Sequence, residues 1–168
     1  MNSIDSPYDL LFDQIKDLYS ALSQIEETLP DLAGWASSSD LRRLLDFEHG
    51  DTAARRTMLG KLCEERGIDP GGDECQAMKG LIEGGNVHIE RAAEGKVRDL
   101  LLIAHYGRIK HYQIAGTRFA SSLADCIELS GESGELGAME KRYVEVLAEL
   151  AQVGANFFSP CLLESGTL

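Results

Sequence analysis

Apolar residues recur along most of the chain at alternating spacings of three and four, which is the period of an amphipathic helix. The pattern is clearest near the start, at Leu11, Ile15, Leu18, Leu22, Ile25 and Leu29. Just before it, Ser6 is a natural N-cap, Pro7 suits the first helical position, and Asp9 completes a capping box. We therefore predict a first helix from this point, which Pro30 kinks or ends.

The same period predicts four further helices, and no stretch shows the period of two that is typical of a strand. They span about residues 40–66, 73–93, 96–129 and 136–157. The glycine-rich segment "SGESGELG" (130–137) is predicted to be a loop, and 158–168 a flexible C-terminal tail. Four long helices with a short one between the second and third predict an all-α, ferritin-like four-helix bundle with a short crossover helix. We expect a single domain over residues 1–157.

Composition limits the partners and the compartment. A net charge of -12 repels nucleic acids and anionic membranes, so we expect neither as a partner. No run of about 18 apolar residues occurs, and "MNSIDSPYD" leads into no apolar signal region. The cysteines lack C-x-x-C spacing, which is typical of reduced thiols rather than a disulfide scaffold. These features predict a cytoplasmic protein.

Catalytic motifs are absent from the sequence. It contains no phosphate-binding loop, no dinucleotide fingerprint and no nucleophile elbow. His105 and His111 are separated by about 600° around a helix, so they lie on different faces and cannot bind one ion together. We expect each histidine, including His49 and His88, to be a hydrogen-bonded surface or boundary residue. No catalytic residue is predicted.

Three segments carry a resemblance to a known family: "LYSALSQIEETLP" (18–30), "DECQAMKGLIEGG" (73–85) and "VRDLLLIAHYGRIKHYQIAGT" (97–117). They resemble the YciF-type, DUF892 ferritin-like proteins of bacteria. The C-x-A-M-x-G-L run at 75–81 and the V-R-D…H-Y-x-I-A run at 97–115 are the most specific parts, and the resemblance extends from about Leu11 to Val153. It implies a ferritin-like bundle, usually a homodimer, that is associated with stress responses.

The chain departs from this family at the positions that the resemblance assigns to metal ligands. Leu22 stands where a carboxylate of the first helix is usual. Lys110 and Gln113 replace both acids of an E-H-Y-E motif, and the acid of the fifth helix falls at Met139, with Glu140 one position off the stripe. Iron and manganese need several converging carboxylates and imidazoles. We therefore expect no metal ion and no other cofactor, with iron or manganese as the alternative.

A buried polar cluster is the predicted replacement for the metal site. Glu48, Asp51 and Arg55 share one face of the second helix, and the resemblance points them toward Lys110 and Gln113 of the fourth. A hydrogen-bonded group of acids and bases is tolerated inside a bundle, whereas an unpaired buried charge is very costly. The alternative is that these side chains are simply solvated.

Three functions remain open from the sequence. The first is a non-catalytic ferritin-like bundle that acts through dimerisation or through binding an unidentified protein partner. The second is a di-metal oxidase, peroxidase or storage protein. The third is an acidic antidote-type protein that masks a basic effector, since the chain carries 28 acidic and only 16 basic residues.

Overall fold

A computed structural model describes residues 4–72 and 74–164 of the chain, with side chains described as far as residue 157. Five helices make up the fold, and the described residues contain no strand. The helices are α1 (Pro7–Trp35), α2 (Ser39–Glu64), α3 (Gln76–Glu90), α4 (Lys96–Cys126) and α5 (Ser130–Glu164). The all-helical prediction is confirmed, and α2 and α4 end within three residues of their predicted ends. The predicted start of the third helix, Asp73, lies outside the described residues.

The long helices pack as two pairs. Short connections make α1 and α2 one antiparallel hairpin and α4 and α5 another, and these two pairs have the most extensive contacts. The short helix α3 lies against α4 and α1 on its way between the hairpins. Two apolar clusters fill the interior, one containing Ile25 and Tyr106, the other Ile15 and Tyr143. The arrangement is a four-helix bundle with a short crossover helix.

The start of α1 has the predicted N-cap, Ser6, which Asp9 contacts through the Ser6 hydroxyl. The backbone N–H of Asp9 donates to Ser6 Oγ at 3.1 Å, and the Ser6 hydroxyl donates to the Asp9 carboxylate at 2.6 Å. All six residues of the predicted apolar stripe are buried. Pro30 does not end the helix, because α1 continues to Trp35. The fully buried Leu32 offsets the hydrogen bond that Pro30 cannot donate.

The start of α5 corrects the prediction of a loop over residues 130–137. The helix begins at Ser130, and only residues 127–129 connect it to α4. Each glycine inside a helix costs about 1 kcal/mol relative to alanine, but two contacts offset that cost here. Glu132 forms an ion pair with Arg66, and Leu136 is completely buried. Tertiary packing therefore overrides the local preference of this segment.

At its other end, α5 enters the predicted tail. Its backbone is helical as far as Glu164, so residues 158–164 continue the helix rather than forming irregular chain. Residues 165–168 of the predicted tail lie outside the described part of the chain. Flexibility of this segment stays a prediction.

An acid in the first turn of α4 fixes the start of α2. The carboxylate of Asp99, which is buried, accepts hydrogen bonds from the backbone N–H groups of Ser37 and Ser38 at 2.8 and 2.9 Å. Ser38 is in turn the N-cap of α2 and accepts from the N–H of Leu41. A carboxylate at a helix N-terminus is favourable because it satisfies free N–H groups and complements the helix dipole. Asp99 thereby sets the position of α2 relative to α4.

None of the helices in the described ranges is both long enough and apolar enough to cross a bilayer.

Candidate functional site

A buried ion pair lies between α2 and α4 at the middle of the bundle. The ammonium nitrogen of Lys110 is 2.5 Å from Glu48 Oε2, and the two side chains are 0% and 1% exposed. Lys110 follows Tyr106 by one turn of α4, so it shares a face with a core residue and cannot reach solvent. Both charges are therefore fully desolvated.

Two further charges of α2 extend the pair. Asp51 and Arg55 follow Glu48 by three and seven residues, so the three side chains lie on one face of the helix. Arg55 Nη2 donates to Asp51 Oδ2 at 2.7 Å and lies 3.6 Å from Glu48 Oε1. The Glu48 carboxylate thus lies between the cations of Lys110 and Arg55.

Two tyrosines enclose this charge cluster. The hydroxyl of Tyr106 donates to Glu48 Oε2 at 2.9 Å. Lys110 Nζ lies 4.8 Å from the ring centroid of Tyr106 and 4.9 Å from that of Tyr143, while Arg55 Cζ lies 4.8 Å from the Tyr143 centroid. Cations above aromatic faces are stabilised by the ring quadrupole, most strongly where water is excluded. The tyrosines thus supply part of the solvation that the two cations have lost.

Gln113 joins the cluster through one of these tyrosines. Its side-chain amide donates to the hydroxyl of Tyr143 at 3.3 Å, and Gln113 is buried. The structure therefore brings the five residues of the predicted cluster together, but Asp51 lies partly exposed at its edge rather than buried. Glu48, Asp51, Arg55 and Lys110 are joined by ion pairs, and Gln113 is linked to them by Tyr143.

Burial and neighbouring charges determine the protonation states of Glu48 and Lys110. Burial alone would raise the pKa of Glu48, but the positive charges of Lys110 and Arg55 outweigh it, and the pKa is lowered. Burial lowers the pKa of Lys110 to about 8, against the opposing effect of Glu48. Burial also raises the pKa of Tyr106, so its hydroxyl keeps the proton that it donates. At neutral pH the pair is a carboxylate and an ammonium group.

Arg142 of α5 closes the outer edge of the cluster, and the sequence analysis missed it. Its Nε lies 3.2 Å from Asp51 Oδ2, and its Nη1 lies 2.9 Å from Glu149 Oε1. Its distance to Glu48 Oε1 is 3.9 Å. The sequence contained one indication that Arg142 could reach the cluster. Arg142 follows Met139 by three residues and so lies close to the inward stripe of α5.

Several polar atoms in this region have no hydrogen-bond partner among the described residues. They include Glu48 Oε1, Arg55 Nη1 and Gln113 Oε1, together with the hydroxyls of Thr52 and Thr117. A buried polar group without a partner costs about 1–3 kcal/mol. Well-packed apolar residues are often at least as stable as a buried ion pair. Stability alone therefore does not explain why the middle of the bundle is polar.

The residues present do not fit a di-metal centre. Such centres need several carboxylates and imidazoles that converge from facing helices. Leu22 and Met139, at two of the positions that the resemblance assigns to ligands, are buried apolar residues of the core. Glu140 instead forms an ion pair with Arg118. Within residues 4–72 and 74–157, no three His, Cys, Asp or Glu side chains converge in a way that would hold an ion.

His105 differs from the expectation for the histidines. It is only 2% exposed, and neither ring nitrogen has a hydrogen-bond partner. The ring packs against Gly85 of α3, where a Cβ atom would lie 2.0 Å from the imidazole. Burial lowers its pKa to about 4, so the ring is neutral. His49, His88 and His111 are exposed, as expected.

The two buried cysteines, Cys63 and Cys75, lie in surroundings that disfavour the reactive thiolate. Cys63, Cys75 and Cys126 are free thiols, and the side chain of Cys161 lies outside the described part. Burial raises the pKa of Cys63 to about 11 and also raises that of Cys75. Because the thiolate is the reactive form, the two buried thiols are inert. Cys75 instead packs at the start of α3, with its sulfur 3.2 Å from the Tyr112 hydroxyl.

Fold and site thus define the class of protein, which is a helical bundle with a crossover helix and a charged core. The family model described as "Domain of unknown function (DUF892)" matches residues 6–156, and the chain belongs to that family. This confirms the resemblance found in the sequence. The chain is also 30% identical to Protein YciF of Escherichia coli (strain K12) over 118 residues, which are 70% of this chain and 71% of YciF.

Solved structures agree with the fold. The crystal structure of the E. coli stress protein YciF matches with a TM-score of 0.86 and 24% identity, covering 92% of this chain and 98% of that one. YcfI, a proposed structural protein from Rhodopseudomonas palustris, matches with a TM-score of 0.84 and 24% identity, covering 90% and 98%. At this level of identity the likeness establishes the architecture alone.

Proposed function

We propose that this member of the family is a non-catalytic helical protein that acts through protein contacts, by dimerisation or by binding a protein partner. The observation that carries the proposal is the ammonium group of Lys110, 2.5 Å from Glu48 in the fully buried middle of the bundle. In this proposal, side-chain cations stand in place of metal ions. The cluster then serves to hold α2 and α4 in register rather than to perform a reaction.

Electrostatics support this role for Lys110. Like charges at contact distance repel strongly where water is excluded, so a divalent ion at Glu48 would be opposed by both Lys110 and Arg55. Moving Lys110 away from Glu48 would remove this repulsion, but the ammonium group of Lys110 would then be buried without a partner. Glu48 is therefore better suited to binding these two side chains than to binding a metal.

The descriptions of two related proteins point the same way. YcfI is described as a proposed structural protein, which agrees with a non-catalytic role. YciF is described as a stress protein, and we include an association with stress in the proposal for this chain.

Elemental analysis tests the proposal directly. Protein purified after growth in metal-supplemented medium is expected to contain far less than one iron, manganese or zinc ion per chain, because Leu22, Lys110 and Met139 cannot act as ligands. The matched variant Lys110→Glu/Gln113→Glu adds two carboxylates near Glu48, and its melting temperature is expected to rise on addition of Mn²⁺ while that of the wild type does not. A reproducible one or two ions per wild-type chain would contradict the proposal.

The expected oligomer is a homodimer. Two-fold pairing is the commonest form of association, and long bundle helices offer self-complementary faces. Multi-angle light scattering at micromolar concentration is expected to give twice the chain mass of 18.4 kDa. The mass of a single chain, independent of concentration, would leave partner binding as the remaining mode of action.

A further inference from the structure

A groove runs between α2 and α5 along the outside of the bundle. These two helices contact each other much less closely than α1 contacts α2 or α4 contacts α5. Three depressions follow one another along the seam, with volumes of about 620, 410 and 510 Å³. We call this continuous feature the α2–α5 groove.

One half of the α2–α5 groove, its first two depressions, is mostly apolar in surface, although charged residues also line it. Phe47 lies at the boundary of the first two depressions and is 59% exposed, although it is a large aromatic side chain. Leu44 and Val153 line the first depression beside it, and Met58 and Met139 line the second. A patch of neighbouring exposed apolar residues such as this one is typical of a site that binds another molecule.

The other half is acidic. Glu65, Glu128 and Glu135 line the third depression, with Arg66 among them. Taking all three depressions together, seven acidic and four basic side chains line the groove within the described part of the chain. This excess is part of the net charge of -12 of the whole chain. At this groove a basic partner is attracted, whereas the equally acidic groove of a second copy is repelled.

The length of the groove indicates the shape of the partner. The 26 residues of α2 extend for about 39 Å at the usual rise of a helix. The seam between the two helices is mostly apolar, with charged residues of both helices along it and Arg142 reaching Asp51 across it. This composition matches the way in which an amphipathic helix binds a groove. Such a helix of about 20–25 residues would cover most of the groove.

We propose that the α2–α5 groove binds an amphipathic helix of a basic protein partner. Its apolar stripe contacts Phe47 and Met58, and its lysines and arginines face Glu65, Glu128 and Glu135. This inference rests on the proposed function, because it names the partner surface of a protein that acts through protein contacts.

Two synthetic peptides test the groove. Both have 22 residues and the same leucine stripe at helical spacing, but one carries Lys and Arg at every charged position and the other carries Glu. Fluorescence anisotropy with the full chain is expected to show at least about tenfold tighter binding of the basic peptide. Added salt is expected to weaken that binding, because it screens exposed charges.

Variants locate the binding surface. Phe47→Ser is expected to weaken binding of the basic peptide about tenfold, as is typical of the loss of a central aromatic contact. The control is Phe119→Ser on α4, because Phe119 is also exposed, at 49%, but lies outside the groove. Its effect is expected to be within about twofold, as for a residue remote from the interface. Glu128→Gln/Glu135→Gln is expected to weaken binding and reduce its dependence on salt.

Several results would overturn the inference. These are equal binding of the two peptides, binding of neither, or equal effects of the two phenylalanine substitutions. A wild-type dimer that Phe47→Ser converts to a monomer would show instead that a second copy covers the groove. None of these results depends on the metal content, so failure of this inference is distinguishable from failure of the non-catalytic assignment.

Discussion

The inward faces of α1, α2 and α4 are all buried in the bundle. That of α1 is lined by apolar residues, whereas those of α2 and α4 also carry charged and polar residues. On α1 the six residues of the stripe are buried and apolar. At equally buried positions, α2 carries Glu48 and Arg55, and α4 carries Lys110 and Gln113. Helical period thus determines which positions face inward, but it does not determine what occupies them. A polar residue at such a position has to find its partners on a facing helix.

The two regions therefore depend on their residues in different ways. Apolar burial is non-directional and contributes in proportion to the area removed from water. The charge cluster is directional, since Glu48 contacts Lys110, Arg55 and Tyr106 through specific atoms. Conservative substitutions should be tolerated in the apolar region, whereas removal of a single partner should be severe in the cluster.

Loss of Lys110 is expected to have the largest effect. Lys110→Met leaves Glu48 buried without its nearest cation and should lower the free energy of unfolding by about 3–5 kcal/mol. Much of this loss should be recovered in Lys110→Met/Glu48→Gln, which removes both charges. A double-mutant cycle by denaturant unfolding measures the coupling. It should be larger for Glu48 than for Asp51, because Lys110 contacts Glu48 directly.

The control for this cycle is Lys141→Met, at an exposed position of α5. Surface substitutions of this kind are usually within about 0.5 kcal/mol. Coupling within error of zero for both acids would show that Lys110 does not compensate the charge of Glu48. The cluster would then be incidental to the stability of the bundle.

The burial of His105 predicts that the protein loses stability as the pH becomes acidic. Its pKa is lowered from 6.5 to about 4 in the folded protein, so the unfolded chain binds more protons between these values. The stabilisation is fully present above pH 6.5 and is lost as the pH falls to about 4, with a total effect of about 3 kcal/mol. In His105→Leu the free energy of unfolding should fall less steeply over this range.

The matched control is His111→Leu, which removes an exposed histidine from the same helix. Unfolding by denaturant at a series of pH values between 4 and 7 gives the slope for each variant. The slope of His111→Leu is expected to equal that of the wild type. An unchanged slope in His105→Leu would show that His105 is accessible to protons in the folded protein.

The burial of His105 also shows where sequence reasoning reached its limit. The N-cap at Ser6 and the stripe of α1 are local patterns, and both were correctly predicted from spacing alone. His105 is buried because α3 packs on α4 and Gly85 makes room for the ring. No pattern within α4 contains that information.

The difference between local patterns and contacts of distant segments also explains the other outcomes of the predictions. The glycines of residues 130–137 suggested a loop, but the ion pair of Glu132 with Arg66 depends on two distant segments. Arg142 was missed because a long side chain can reach a cluster from a partly exposed position. The meeting of Glu48 with Lys110 was predicted from the family resemblance, which supplied the register between α2 and α4 that periodicity does not contain.

The smallest expected effect provides the sharpest contrast with Lys110. Leu22 is 1% exposed and Lys110 is 0% exposed, so Leu22→Met and Lys110→Met place the same residue at two equally buried positions. Volume-conserving exchanges in an apolar core usually cost less than about 1.5 kcal/mol, because methionine adapts to the space and no polar partner is left behind. The two variants, unfolded in denaturant under the same conditions, should therefore differ by at least about 1.5 kcal/mol. Equal losses would mean that packing volume, and not charge, determines what the middle of this bundle requires.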